Sequence, residues 1–581
     1  MARQLSRRSA LALRGATCAA FLFAAACTEG DSGASGPVAG GVTPGGDPIP
    51  PASASVADIP SAQEASRMLA QSTFGATTNE IERLSSVGIS EWLRDEVAKS
   101  HTRILPDILT LAGRDEDDRD DLAEAFWFRA IKGDDALRQR VAFALSQIFV
   151  ASFADGTLQN RPIEFAYYMD VIGDNAFGNY RQLLEEITYS PAMGIYLTYR
   201  GNRKANEDRG TVPDENYARE VMQLFSIGLV QLQRNGEPVL DAQGQPIETY
   251  TNEDVSGLAR VFTGLDYPGL DRVGRNPDTD QQRASAMVVY PEEHAPEEKA
   301  FLGTVIPADT PGEQSIALAL DALYTHPNTA PFISKQLIQR LVTSNPSLEY
   351  VTRVTEAFEL GAVALPDGEF FGSGVRGDLS AVVAAILVDP EARLAESTAD
   401  PNFGKIREPV LRFVNWARTF EVNNTRLSAA GSLRDTRSTD RLAQQAYRSP
   451  SVFNFYRPGF VAPASASADA GLVAPEMQII TASSVTGYAN FMEDYITRSS
   501  TADSFAPDYS QELSLASDPA ALVNHLDLLM TNGSMAPETR ARIVDAVAAV
   551  DSGHRNFTQE EVRVQTAILF VMTSPDYLVV R

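Results

Sequence analysis

The chain has 581 residues, 44% of them hydrophobic and 22% charged, a balance typical of a globular protein with a large core. Its formal charge of −27 would repel nucleic-acid phosphates and anionic lipid headgroups, which excludes nucleic-acid binding and argues against a membrane-binding protein surface. The length alone allows roughly two to four domains.

The first 26 residues predict an export signal. An arginine-rich start precedes a short apolar run over residues 15 to 26, which is too short to span a bilayer. Ala24-Ala25-Ala26-Cys27 resembles a bacterial lipobox, so Cys27 is predicted to be lipidated and to become the mature N-terminus. Ser6-Arg7-Arg8-Ser9 also resembles a twin-arginine signal, and simple secretion with an incidental Cys27 is the alternative.

The next stretch, residues 27 to 60, is rich in Gly, Ser, Pro and Ala and has almost no large apolar residues. Such a composition predicts a disordered linker. A flexible chain of this length reaches roughly 30 Å and would tether a globule near a membrane. We therefore expect an exported, lipid-anchored protein of the periplasm, the outer membrane or the cell surface.

Cys18 and Cys27 are the two cysteines of the chain, and signal cleavage removes the first of them. The body at residues 61 to 581 therefore contains no thiol. Disulfides and thiolate metal sites are excluded there, although an exported protein would tolerate disulfides.

The body predicts a series of capped helices. A hydroxyl residue followed three positions later by an acid occurs at Ser61, Thr77, Thr251 and Thr558, as in a capping box. Helix stops are indicated by three glycines and by four residues that precede proline, because proline pushes the residue before it out of the α region. These are Gly88, Gly228, Gly264, Ser190, Asp389, Ser449 and Ser574.

Longer segments at 136 to 153 and 329 to 342 carry helical periodicity. Strand signals are few, and residues 230 to 251 predict a hairpin around Asn235-Gly236. Long loops are expected at 200 to 213, 266 to 300 and 421 to 440. The fold predicted for residues 61 to 581 is one large, mostly α-helical domain with at most a small β-hairpin.

A set of segments then matches a known family. In chain order they are RMLAQSTFGATTNEI, LRQRVAFALSQIFV, NAFGNYRQLLEEITYSPAMGIYL, PDENYAREVMQLFSIGL, YTNEDVSGLARVFTGL, FLGTVIP, HPNTAPFISKQLIQRLV, GVRGDLSAVVAAILVDPEAR, GKIREPVLRFV and TSPDYLVVR. The body closely resembles the bacterial family catalogued as domain of unknown function 1800. The resemblance implies a helical, exported protein without an established activity. It also suggests a partner, an exported protein related to sulfatases and alkaline phosphatases that often accompanies this family.

The chain departs from the family pattern at two places. Many members carry His-Asn-His-Phe where this chain has Leu145-Ser146-Gln147-Ile148-Phe149, and many carry His-Asp where it has His294-Ala295, followed by Lys299. The metal pair that the resemblance would imply at the first position therefore lacks its histidines.

The segment DENYAREVMQLFSIG raises a question about chemistry. Glu215 and Arg219 lie one helical turn apart and are expected to pair, with Glu220 beside them. As a site, Glu220 would act as base or ligand and Arg219 would bind an anion. The favoured structural alternative is a buried Glu–Arg network that joins helices through Arg138, Arg140 or Arg260.

The five histidines show no zinc-binding spacing. His294 and His326 are weak candidates for metal ligands, and His326 is more simply explained as a turn residue before Pro327. The spacing of Gly372, Gly374 and Gly377 matches a dinucleotide motif but lacks a preceding buried strand, so we interpret it as a turn, with Asp378 as a helix cap.

The acidic run at 115 to 121 lacks the EF-hand glycine and its terminal glutamate. Asn276, Asp278 and Asp280 alternate in a loop and could bind calcium weakly. A solvated loop is the simpler interpretation of both stretches.

Two functions follow from these observations. The first is a lipid-anchored helical protein that binds a partner protein or an envelope polymer. The second is an exported carboxylate-based enzyme or metalloprotein, hydrolase-like and centred on Glu215, Arg219 and Glu220, alone or together with His294. A carbohydrate-binding module is disfavoured, because the chain has only three tryptophans for aromatic platforms. The sequence names no cofactor.

Overall fold

A computed structural model of the chain describes residues 56–111, 118–423, 432–498, 505–551 and 557–581. The predicted signal peptide, Cys18, Cys27 and all but the end of the predicted linker lie outside these residues, as does part of the acidic run. The described body is mostly α-helical, as predicted. None of the helices in these ranges is both long enough and apolar enough to cross a membrane.

The helices of the first part of the body are α1 Ala62–Ser72, α2 Thr78–Val87, α3 Ile89–Ala98, α4 Leu105–Leu111, α5 Asp118–Lys132, α6 Ala136–Ser146, α7 Pro162–Asp174, α8 Tyr180–Thr188, α9 Pro191–Tyr196, α10 Asn216–Gln223, α11 Asn252–Ala259, α12 Asp280–Arg283 and α13 Gly312–Thr325. Those that follow are α14 Thr329–Leu341, α15 Leu348–Leu360, α16 Leu379–Val388, α17 Pro390–Arg393, α18 Ala395–Ala399, α19 Pro409–Thr419, α20 Ala466–Asp469, α21 Ala482–Ile496, α22 Ser510–Leu515, α23 Pro519–Met530, α24 Pro537–Ala548, α25 Gln559–Thr573 and α26 Pro575–Leu578.

The β structure consists of short antiparallel pairs. β1 Leu265–Asp266 pairs with β2 Val288–Val289, and β3 Lys299–Phe301 pairs with β4 Thr304–Ile306. β5 Val363–Ala364 pairs with β6 Phe370–Phe371, and β7 Lys405–Ile406 pairs with β8 Val579–Val580. The last pair joins the C-terminus to the segment before α19.

The capping signals of the sequence act as predicted. At Ser61, Thr77, Thr251 and Thr558 the hydroxyl accepts from the third residue of the helix, whose acidic side chain accepts from the capping backbone N–H. Each box satisfies backbone donors that the first helical turn leaves unpaired.

The predicted helix stops are mostly confirmed. Gly88 ends α2 with a φ of +92°, a conformation that favours glycine. Helices end directly before Asp389 and Ser574, and α8 ends two residues before Ser190. Gly264 also has a positive φ, but it lies beyond the end of α11 and begins the turn into β1 rather than ending the helix.

Two predictions about the middle of the chain need correction. The helix predicted over 136 to 153 ends at Ser146, and the segment around Ser449-Pro450 contains no helix. There Ala443, Tyr447 and Asn454 adopt positive φ, so the chain cannot continue as a helix. This irregular segment instead sends Tyr447 inward against the ring of Phe126.

The predicted hairpin over 230 to 251 has the expected turn at Asn235-Gly236, with Gly236 at a φ of +77°. It continues into a second turn at 241 to 245 and is held by isolated bridges, including Leu232 to Pro238. It therefore forms a folded strap rather than a regular strand pair.

The centre of the hydrophobic core contains helices that are buried nearly all round, which are α6, α14, α16 and α19. A charged side chain on such a helix is therefore usually buried. α14 packs against α6, α15 and α16, and α5 packs against α19. This arrangement brings the C-terminal end of α6 beside α14 and the start of α19.

Candidate functional site

The ENYARE helix, α10, holds Glu215 at its N-cap and Arg219 one turn later. The two side chains pair across 3.6 Å as predicted, and about two-fifths of each is exposed. Glu215 also accepts a hydrogen bond from the Ser256 hydroxyl of α11. An exposed pair of this kind contributes little to stability because water screens it.

Glu220 lies on the other side of the same helix and is only 8% exposed. Its Oε2 has no hydrogen-bond partner among the described residues. Burial raises the pKa of Glu220, and the charge of Arg219 opposes this shift. Its negative charge also contributes to the raised pKa of Tyr196, which burial brings to about 12.

The predicted network between this helix and other arginines does not form in the described part of the chain. Arg138 donates instead to backbone carbonyls of Val97, Lys99 and Gly173. Arg140 donates to the carbonyl of Arg340 at 2.6 Å, and Arg260 is exposed. The structure therefore separates a partly exposed Glu215–Arg219 pair from Glu220, which is buried and whose Oε2 has no hydrogen-bond partner among the described residues.

His294 is buried beside Thr263. Its Nδ1 lies 3.0 Å from the Thr263 carbonyl oxygen, and its Nε2 has no partner among the described residues. Burial lowers the pKa of His294, and the nearby Lys299 lowers it further. His326 lies between α13 and α14, where its Nδ1 accepts from the Asn328 backbone N–H at 3.1 Å.

The other sequence motifs are engaged in local structure. Asn276 accepts from Arg161 and Asp280 pairs with Arg283. Asp378 caps α16 by accepting from the N–H groups of Ser380 and Ala381. The glycine motif before it lies in the turn that leads into this helix. Within the described ranges, no three His, Cys, Asp or Glu side chains are arranged to hold a metal ion.

Two surface clefts differ in how their polar atoms are used. The larger, about 740 Å³, includes Arg161 and Glu164, which pair with each other while Tyr267 donates to Glu164 at 2.8 Å. None of the unpartnered buried side-chain atoms in the described residues belongs to its lining. Its buried side-chain polar atoms therefore have partners within the protein.

The second cleft, which we call the Arg340 cleft, has a volume of about 610 Å³, within the usual range for ligand sites. Four segments build its walls: the end of α6, α14, the strap that follows α10, and the irregular chain before and after α20. The lining includes Gln147, Leu229, Leu232, Phe332, Lys335, Gln336, Arg340, Val452, Phe453, Tyr456, Arg457 and Gly459.

The walls of the Arg340 cleft are apolar and partly open to solvent. Leu229 is 57% exposed and Phe453 is 37% exposed, although both are large hydrophobic side chains. Leu232, Phe332 and Val452 continue this lining. Exposed apolar surface gathered in a concave site is typical of a binding surface.

The floor of the cleft is polar and incompletely satisfied. Gln147 Oε1, Gln336 Nε2 and Arg340 Nε are buried and have no hydrogen-bond partner among the described residues. Arg340 ties the other two residues together, since Nη1 donates to the Gln336 carbonyl and Nη2 to the Gln147 carbonyl, both at 3.0 Å. Burial raises the pKa of Tyr456 well above its usual range, and the charge and hydrogen bond of the neighbouring Glu408 carboxylate reinforce this shift, so the Tyr456 hydroxyl stays protonated.

A group of buried charges lies beneath this floor. The buried ion cluster consists of Arg140, Arg340, Lys405, Glu408 and Glu476. Lys405 Nζ lies 3.1 Å from Glu476 and 3.9 Å from Glu408, and it donates to the Arg340 carbonyl at 2.8 Å.

Two glutamine amides donate to Glu408 Oε2, both at 2.6 Å, from Gln147 and Gln444. Burial raises the pKa of Glu476, which Lys405 opposes and Glu408 reinforces. The cluster therefore combines three cations with two carboxylates, and Gln147 connects it to the cleft.

Sequence reasoning did not identify the Arg340 cleft. Its signal was present as basic residues inside helices that are buried nearly all round, Arg140 in α6 and Arg340 in α14, and as the pair Lys405 and Glu408 before α19. The stretch that lacks the family histidines, 145 to 149, also reaches this site through Gln147 and Ile148.

Comparisons with known proteins give one match. A family model described as "Protein of unknown function (DUF1800)" matches residues 67–579. No curated protein and no solved structure matches the chain.

Proposed function

The chain belongs to the DUF1800 family, and on that premise we propose that it is an exported, lipid-anchored binding protein whose Arg340 cleft holds an extended segment of a partner protein or envelope polymer. One observation carries the proposal: three buried polar atoms, Gln147 Oε1, Gln336 Nε2 and Arg340 Nε, lack partners among the described residues in a concave, apolar-walled site. An unsatisfied buried polar atom costs about 1–3 kcal/mol, and a bound ligand would recover that energy.

Export and anchoring are supported by the sequence before the body. The arginine-rich start, the short apolar run and the small residues before Cys27 favour a lipoprotein signal, and the following Gly- and Pro-rich stretch favours a tether. The family resemblance suggests an exported protein of the sulfatase and alkaline-phosphatase type as the first partner to test.

Cross-linking in cells tests whether the cleft is occupied. We would replace Phe453, in the cleft wall, with a photo-reactive phenylalanine analogue and compare it with the same replacement at the exposed Phe570. We expect an adduct from position 453 and none of the same mass from position 570.

A cleft-filling variant makes the test specific. A Cβ placed on Gly459 meets no atom within 4 Å and its φ is not positive, so Gly459→Phe should fold and fill the cleft. Gly156 has the same two properties in the lining of the other cleft, and Gly156→Phe is the matched control. If Gly459→Phe leaves the adduct at position 453 unchanged, the cleft is not the binding site and the proposal is wrong.

A second function is favoured by Glu220. Its buried, unpartnered Oε2 and its raised pKa are properties of a general acid, and Arg219 on the same helix could hold an anionic group. This enzyme hypothesis predicts that the purified protein hydrolyses one of a set of chromogenic esters, phosphoesters or glycosides. Glu220→Gln should abolish that turnover without lowering the thermal midpoint.

A further inference from the structure

The unpartnered atoms of the Arg340 cleft differ in kind. Gln336 Nε2 and Arg340 Nε are donors, and Gln147 Oε1 is an acceptor. The orientation of Gln147 is fixed, because its Nε2 already donates to Glu408. The floor therefore offers two donors and one acceptor to a ligand, while the Tyr456 hydroxyl is engaged by the Glu408 carboxylate.

The charged side chains that line the cleft are all basic. Lys335, Arg340 and Arg457 line the cleft, and no acidic side chain is among the described residues that do so. This is unusual for a chain with a formal charge of −27. An anionic group is therefore the expected partner of the floor.

The walls require an apolar part beside that anion. Leu229, Phe332 and Phe453 offer hydrophobic surface next to the donors. Inorganic phosphate would leave these walls exposed. A fatty acid would cover the walls but would leave Gln147 Oε1 without a donor, whereas a peptide end supplies a carboxylate, a backbone N–H and apolar side chains together.

We propose that the Arg340 cleft binds the C-terminal residues of a partner polypeptide, whose terminal carboxylate accepts from Gln336 and Arg340. The last backbone N–H of the ligand donates to Gln147 Oε1, and its final side chains pack against Leu229 and Phe332. This inference rests on the proposed binding function and narrows its ligand to a free peptide carboxylate.

Binding of labelled peptides to the full mature chain in detergent tests the inference. The probes are two fluorescent pools of peptides of about eight residues, with random sequence and Leu, Val or Phe at the last position. One pool has a free C-terminus and the other a C-terminal amide. We expect the free-carboxylate pool to bind about tenfold more tightly or better, because the amide loses charge-assisted hydrogen bonds.

Gln336→Met separates ligand binding from folding. The Gln336 Nε2 has no partner among the described residues to lose, so the variant should keep its thermal midpoint while it binds the free-carboxylate pool about tenfold more weakly. Gln445 is the matched control, since its buried side chain donates to the Arg434 carbonyl at 3.2 Å and accepts from the Thr436 N–H at 3.1 Å outside the cleft. Gln445→Met should lose stability and keep its peptide affinity.

The outcomes distinguish this inference from the proposed function. Equal binding of both pools, abolished by Gly459→Phe, would keep the cleft as a binding site but overturn the carboxylate. Binding of sodium dodecanoate without binding of either pool would show an acyl anion and overturn the peptide. Absence of binding by both pools would also overturn it. Peptide binding that Gly459→Phe does not affect would instead contradict the proposed function itself.

Discussion

Glu220 is a carboxylic acid whose environment favours its neutral form. Burial raises its pKa above the ordinary value of 4.5, so the folded chain holds this proton to a higher pH than the unfolded chain does. The resulting stabilisation is fully present below the unfolded pKa and is lost as the pH rises through the raised folded pKa. Glu220→Gln cannot ionise, so its thermal midpoint relative to wild type should increase between about pH 4 and pH 8.

Glu215→Gln is the control for this measurement. It removes the same charge from an exposed side chain of the same helix, so its midpoint relative to wild type should vary little over that range. If both variants followed the same pH dependence in differential scanning fluorimetry, the burial of Glu220 would not be the cause.

The buried ion cluster depends on Lys405 for its balance. This lysine is almost fully buried and compensates Glu408 and Glu476. Lys405→Met leaves both carboxylates without their nearest cation, and removal of one partner of a buried pair costs about 3–5 kcal/mol. We expect a loss of that order in urea denaturation, with part of it recovered in the double variant Lys405→Met with Glu476→Gln.

An exposed pair provides the comparison. Arg283 and Asp280 lie 2.8 Å apart on the surface, with more than a third of each side chain accessible. Arg283→Met should reduce stability much less, because water and salt screen such pairs. Equal losses for the two variants would mean that Lys405 does not compensate buried charge.

The stability of several helices depends on capping hydrogen bonds in their first turns. At the start of α25, Thr558 and Glu561 form a reciprocal capping box. Thr558→Ala removes the hydroxyl that accepts from the Glu561 N–H, so we expect a loss of about 1 kcal/mol in urea denaturation. Thr486 is an exposed threonine inside α21, where alanine is the better helix former, and Thr486→Ala should be neutral or slightly stabilising. A neutral Thr558→Ala would show that the box is not needed.

Such local signals explain why much of the fold could be predicted from the sequence. A capping box is complete within four residues, and a pre-proline position restricts its own backbone, so both can be recognised without knowledge of the tertiary structure. The mostly α-helical class follows from these signals and from the 3.6-residue periodicity. The prediction of a helix that ends at Ser449 was wrong, because positive φ values at Tyr447 and Asn454 prevent a helix in this segment.

The Arg340 cleft could not be predicted in the same way. Gln147, Arg340 and Tyr456 belong to segments separated by more than a hundred residues, and only the packing of α6, α14 and the irregular segment brings them together. The sequence alone also cannot show that Gln336 Nε2 lacks a partner among the described residues, since that requires every neighbour to be known. The ENYARE helix could be singled out from the sequence because its charged residues are close together in the chain. The structure shows that two of them, Glu215 and Arg219, are partly exposed.

The last residues of the chain pack against the segment before α19. β8 pairs with β7, the strand that contains Lys405, and the Arg407 N–H donates to the Leu578 carbonyl at 2.8 Å. Tyr577 is fully buried, donates to the Arg412 carbonyl and to Asn415, and lies under the Arg407 guanidinium at 4.1 Å. The end of the chain thus holds the segment that supplies the buried ion cluster with its lysine.

This connection predicts that damage at the C-terminus reaches the cleft. Tyr577→Ala removes a buried aromatic ring and should cost about 3–5 kcal/mol. Since β8 would then no longer hold β7 in place, Lys405 should become reactive towards acetic anhydride, which mass spectrometry of tryptic peptides detects. Deletion of the exposed Arg581 alone should leave Lys405 protected. If Tyr577→Ala destabilises the chain but Lys405 stays protected in the folded fraction, the C-terminal strand stabilises the body without positioning the floor of the cleft.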